Sequence, residues 1–147
     1  MKDLLKEQLK EYKVISTAKV QWGDMDAMQH VNNVVYVKWG EMARIDYFTR
    51  LGVFSLEKKQ STFAPILGFQ SVKYIVPVVY PDTIHIGTKM EEIKDDRLVL
   101  KSFYYSENKG KLVAIKTQEV IPFDYKTQNK IPVPEELIVE INNLEGL

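Results

Sequence analysis

Between about residue 31 and residue 51 the apolar side chains fall at helical spacing, and no other stretch of the chain keeps that period for so long. Val35, Trp39, Met42, Ala43 and Phe48 form one broad apolar stripe, with Lys38, Glu41 and Arg50 off it. Asn32 or Asn33 can cap the start, because an asparagine oxygen accepts an otherwise unpaired amide. Gly52 stands where a glycine would stop the helix. A stripe this wide must be buried against something, and the rest of the chain offers mainly strands.

From Lys13 to Trp22 the period is two, with Val14, Ala18, Val20 and Trp22 expected on one buried face. Residues 23–29 break the pattern and read as a loop. Beyond a linker containing Ser61, Thr62 and Pro65, strands are expected over 68–79, 83–90, 97–105 and 111–121. Pro77 marks an edge or a bend near the end of the first of these. Residues 94–96 and 107–110 suit tight antiparallel connections. Short helices are expected at 3–10 and after Pro132, where Glu135 and Glu136 fall in the first turn. The sequence thus predicts an α+β fold: one long helix against a five-stranded antiparallel sheet, in a single domain over residues 1–147. One helix leaves much of the sheet's other face bare, and a second copy of the chain would cover it.

Composition narrows the chemistry. There are no cysteines, which removes disulfides, thiolate metal sites and cysteine nucleophiles. His30 and His85 are the only histidines, too few for a multi-histidine metal site, and no cofactor is expected. Twenty basic residues balance twenty acidic ones, so no global field draws in nucleic acid or an anionic membrane. No apolar run approaches the roughly 18 residues of a membrane span, and the first ten residues lack a signal-like stretch. A cytoplasmic location is the expectation.

The polar cluster at residues 24–33 stands out between two apolar elements. A carboxylate in a partly desolvated cleft can attack a carbonyl or activate water. The free amides and positive dipole end of a neighbouring helix can hold a developing oxyanion. If the segment is extended, Asp24 and Asp26 point to opposite sides, so only one need enter the cleft.

The stretch from Trp22 to Tyr36, reading D-x-D-x-x-x-H-V-N-N-x-x-Y from Asp24, followed by Glu41-Met42-Ala43-Arg44, resembles the hotdog-fold thioesterases of the 4-hydroxybenzoyl-CoA thioesterase type. The likeness in element order covers about residues 12–125, with Tyr80-Pro81-Asp82 and Phe123-Asp124 similar to later family features. The resemblance implies a sheet wrapped around one central helix, hydrolysis of an acyl-CoA, and Asp26 as the catalytic carboxylate. It places the carbonyl-polarising helix end near residues 30–33. The expected site comprises Asp26 and His30, with Gln29, Val31, Asn32, Asn33 and Tyr36 along the substrate. Relatives often carry glycine where Gln29 stands, so a positive φ there would strain it. The run from Gln29 to Asn33 is also similar to plant acyl-ACP thioesterases, although Met28 replaces their asparagine.

Other residues read as support. Asp24 is expected to bind loop amides, Glu41 and Arg44 to pair along the helix, and His85 to sit solvated on its strand. Lys73, Lys89 and Lys101 could meet coenzyme A phosphates, but scattered strand lysines are usually a solvated face. Three rivals to acyl-CoA hydrolysis remain: acyl-ACP hydrolysis, non-catalytic acyl-thioester binding, and a dehydratase lacking a well-placed second histidine. The expected assembly is a homodimer or homotetramer.

Overall fold

The computed structural model describes residues 3–53 and 63–147. Its elements are α1 (Asp3–Leu9), β1 (Val14–Lys19), a 3₁₀ turn at Trp22–Asp24, α2 (Asn33–Arg50), β2 (Phe63–Tyr74), β3 (Thr83–Ile93), β4 (Leu98–Ser106), β5 (Lys111–Asp124), β6 (Asn129–Lys130) and α3 (Glu135–Glu145). The linker residues Ser61 and Thr62 lie outside the described residues. The strands form one antiparallel sheet in the order β1-β3-β4-β5-β2, with the two-residue β6 added to β5. β1 and β2 are the two ends of that path, so the connection between them must cross the sheet. α2 is that connection.

The sheet wraps the helix in two core clusters. Near the start of α2, Tyr36, Trp39 and Ala43 pack with Val78, Ile84, Ile86, Tyr104 and Ala114. Near its end, Tyr47, Phe48 and Leu51 pack with Leu98, Leu100 and Val120, and Leu137 and Ile141 of α3 close this cluster. The stripe expected from the sequence is therefore buried, but it is wider: Tyr36, Gly40 and Tyr47 join it, while Val35 and Met42 are only half-buried. Gly40 permits the close approach. A Cβ there would lie 2.3 Å from Lys116 Cδ and 2.5 Å from Tyr104 Oη.

A polar seam runs between helix and sheet. Lys116 and Gln118 of β5 are fully buried. Lys116 Nζ donates to the Val37 carbonyl at 3.2 Å. Arg44 Nη1 donates to Gln118 Oε1 at 2.7 Å, and Ser16 Oγ donates to Asp46 Oδ2 at 2.6 Å. Among the described residues no buried side-chain nitrogen or oxygen lacks a partner, which is the condition for burying such groups at modest cost.

Several expectations are corrected. The sheet's other face is partly roofed: Leu5, Leu9 and Tyr12, from α1 and the turn after it, pack on Phe103, Tyr105 and Leu112. Phe103 and Tyr105 alternate with the core-facing Leu98, Leu100 and Tyr104, so α1 lies opposite α2. His85 is not solvated. It is 8% exposed, between its register partners Thr17 and Tyr105, with Nε2 3.1 Å from Glu107 Oε1. Arg44 reaches across to Gln118 instead of forming an ion pair with Glu41, because its side chain points under the helix. Trp22 leaves the β1 face, since the strand ends at Lys19 and the chain turns. β2 begins at Phe63, so Pro65 sits within an edge strand, where proline is tolerated.

Candidate active site

Backbone hydrogen bonds lock the loop between β1 and α2. Asp26 N–H donates to His30 O and Gln29 N–H donates to Asp26 O, both at 3.0 Å, closing a turn on itself. Met25 and Val31 form an isolated antiparallel bridge, and Val31 N–H donates to Val78 O at 2.8 Å. Asp24 serves the loop as expected: its Oδ2 accepts the Gln21 amide at 2.7 Å and its carbonyl accepts the Asn32 amide at 2.9 Å. Gln29 adopts φ 66°, the left-handed region that favours glycine, so the expected strain is present.

Asn32 caps α2, its Oδ1 accepting the Val34 amide at 3.2 Å. The Val35 amide is taken by the Asn32 carbonyl. The Asn33 amide, first in the helix, keeps no acceptor among the described residues. A free N–H at the positive end of an 18-residue helix is a natural partner for negative charge.

Beside this helix end lies a cavity of about 300 Å³ lined by His30, Val31, Asn33, Tyr36, Tyr74, Ile75, Val76 and Pro77. Four of the seven expected site residues therefore meet there: His30, Val31, Asn33 and Tyr36. Asp26, Gln29 and Asn32 do not line it. Asp26 stands exposed on the adjoining turn, where Oδ1 accepts the Met28 amide at 2.9 Å, leaving Oδ2 without a hydrogen bond among the described residues. His30 is also exposed, and among the described residues no hydrogen bond joins its ring to the Asp26 carboxylate.

The inner wall of the cavity is aromatic. The Tyr36 ring meets Tyr74 edge-on at 5.0 Å, Trp39 at 5.5 Å and Tyr104 at 6.0 Å between centroids. Burial pushes the Tyr36 phenol up to about 12, against a backbone hydrogen bond from Val78 that acts the other way. It stays neutral near pH 7. The wall formed by Tyr74, Ile75, Val76 and Pro77 escaped the sequence reading, which carried the strand through to residue 79. β2 ends at Tyr74, and the chain beyond it turns to line the cavity. The signal available was the run of apolar side chains ending at Pro77.

Of the lysines considered for phosphate contact, Lys73 is exposed, while Lys89 and Lys101 are engaged on the outer face. Lys89 Nζ lies over the Phe103 ring at 5.2 Å and the Tyr12 ring at 5.9 Å, and Lys101 Nζ is 3.9 Å from Glu91.

Together these features define a pocket at a helix end inside a wrapped sheet. The chain belongs to the thioesterase-like superfamily, whose family model matches residues 20–141, and its fold is the hotdog fold of thioester hydrolases. It is 25% identical over 119 residues to the long-chain acyl-CoA thioesterase FadM of Escherichia coli K12, covering 81% of this chain and 89% of that protein. A thioesterase of Thermus thermophilus, solved with coenzyme A and zinc, is 25% identical with a TM-score of 0.81, over 94% of this chain and 98% of that one. The DHNA-CoA thioesterase of Staphylococcus aureus shares the fold at 24% identity and a TM-score of 0.76, over 91% and 95% of the two chains.

Proposed function

We propose that this protein hydrolyses acyl-CoA thioesters at the cavity beside the start of α2, with Asp26 as the catalytic carboxylate. The observation that carries this reading is a carboxylate oxygen left free on the 26–30 turn, which adjoins a cavity lined by Asn33 with its unpaired amide. In the nucleophilic route an Asp26 oxygen adds to the thioester carbonyl carbon. The resulting oxyanion is held by the helix-end amide, and collapse expels the coenzyme A thiolate, leaving an anhydride that water cleaves. In the general-base route Asp26 takes a proton from water as its oxygen adds to the same carbon, and the departing thiolate is protonated afterwards. His30 borders the cavity, and in this reading it contacts the substrate. Gln29 shapes the turn through its backbone, and Asn32 caps the helix with its side-chain oxygen.

The test is thiol release over a panel of acyl-CoA and acyl-carrier substrates, comparing wild type with Asp26→Asn. Turnover is expected with at least one acyl-CoA, with a loss well beyond tenfold in the variant. A loss below about tenfold, worth roughly 1.4 kcal/mol of barrier, would remove Asp26 from the centre of the mechanism.

We further infer that the working unit contains a second copy of the chain. β2 lies at the end of the sheet's strand path, with β5 as its partner, and it carries exposed Ile66, Phe69 and Tyr74. An apolar edge that pairs with no further strand among the described residues invites strand pairing across a two-fold axis.

A further inference from the structure

Three side chains from three neighbouring strands donate to carbonyls in the opening of α2. Tyr74 Oη of β2 donates to Asn33 O at 3.1 Å, Tyr104 Oη of β4 donates to Tyr36 O at 2.7 Å, and Lys116 Nζ of β5 donates to Val37 O at 3.2 Å. Register explains how they converge. Ala114 of β5 pairs with Tyr104 on one side and Tyr74 on the other, so two tyrosines flank one small residue in a single cross-strand row. The Tyr36 ring lies between the two flanking rings. Lys116 follows two residues after Ala114, on the same face of β5. The helix start is thereby seated on the sheet by its first turn and a half.

Packing alone does not demand this arrangement. Tyr74 is 45% exposed, so its hydroxyl could be satisfied by water, yet it is turned onto the first carbonyl of the helix. A donor placed on a helix carbonyl also polarises that peptide, and aligned peptides strengthen the positive end of the helix dipole. We propose that Tyr74, Tyr104 and Lys116 are positioning residues for thioester hydrolysis, holding and polarising the α2 terminus whose Asn33 amide meets the substrate oxyanion. This rests on the thioesterase reading above. Misplacement of an oxyanion donor is felt in the chemical step far more than in substrate binding, because the charge develops only in the transition state.

The test measures kcat, KM and Tm for wild type, Asp26→Asn, Tyr74→Phe, Tyr104→Phe and the double tyrosine variant, on whichever acyl-CoA wild type hydrolyses. Each tyrosine variant is expected to lose about tenfold in kcat with KM within about twofold of wild type. Tyr74→Phe, half-exposed, is expected to keep its Tm, which separates positioning from loss of fold. Lys116→Met keeps the stem's volume without the donor and should lose kcat likewise. The double variant should lose less than the product of the single losses, since both residues hold one element. Full kcat in both tyrosine variants, or losses carried by KM or in step with Tm, would overturn the inference while Asp26→Asn stays inactive. An inactive wild type would instead overturn the thioesterase reading, and this inference with it.

Discussion

At the scale of single residues, Gln29 is where local preference and fold disagree. Its φ of 66° is costly for any side chain with a Cβ, yet the turn it closes carries Asp26 on one side and His30 on the other. Gln29→Gly is expected to raise stability by up to about 1 kcal/mol, seen as a Tm increase of roughly 2–4 °C. Gln29→Val, β-branched, should lower it. If calorimetry finds the glycine variant less stable than wild type, strain at this position is not a significant cost. Asn32 shows the opposite case, a residue whose local chemistry and tertiary role agree: its capping oxygen takes the Val34 amide and so leaves the Asn33 amide as the free donor.

At the scale of elements, the contact between α2 and the sheet depends on the absence of a side chain at Gly40. In an isolated helix Gly40→Ala would help by about 1 kcal/mol. Here the added methyl would strike Lys116 and Tyr104, so a net loss of about 1–2 kcal/mol is expected in denaturant titration. Lys116 also makes the seam pH-dependent. Burial first, then the neighbouring Arg44 charge, lower its amine from 10.5 to about 8, and Glu41 opposes the shift. Between those values the unfolded chain binds the proton that the folded chain has released, so stability rises with pH across that window. The cost of burying the cation is fully present below about pH 8. Relative to Lys116→Met, wild type should therefore gain stability from pH 8 to 10.5, by at most about 3 kcal/mol. Parallel pH–stability curves for the two proteins would show that Lys116 is not titrating differently on folding.

At the scale of the whole molecule, β2 leaves an apolar sheet edge carrying Ile66, Phe69 and Tyr74, while α1 packs on β4 and the start of β5 and α3 closes the far end of the α2 core. A second copy pairing there should place Phe69 in a contact between chains. Sedimentation or light scattering at micromolar concentration is expected to report a dimer or a dimer of dimers, and Phe69→Lys should shift it toward monomer. A wild-type monomer under those conditions would rule the second copy out of the working unit.

Much of this was legible in the chain because it is written in local periods and local caps. The helical stripe of α2, the alternation of the strands, the Asn32 cap, the Gly52 stop and the D-x-D turn before the helix are all matters of spacing within a few residues. By itself the sequence determined the element order, the family and the loop that presents Asp26. Contacts between residues distant in sequence were not legible, because nothing local distinguishes a lysine destined for solvent from one destined for the core. Lys116 is fully buried while Lys73 is exposed, although both read as strand lysines. His85 is buried through pairing with Thr17 and Tyr105, and α1 finds its place only because Gly87 leaves room for the Tyr12 ring. The cavity is the clearest case. Its floor comes from the start of α2 and its far wall from the chain leaving β2, two segments brought together only when the sheet closes around the helix.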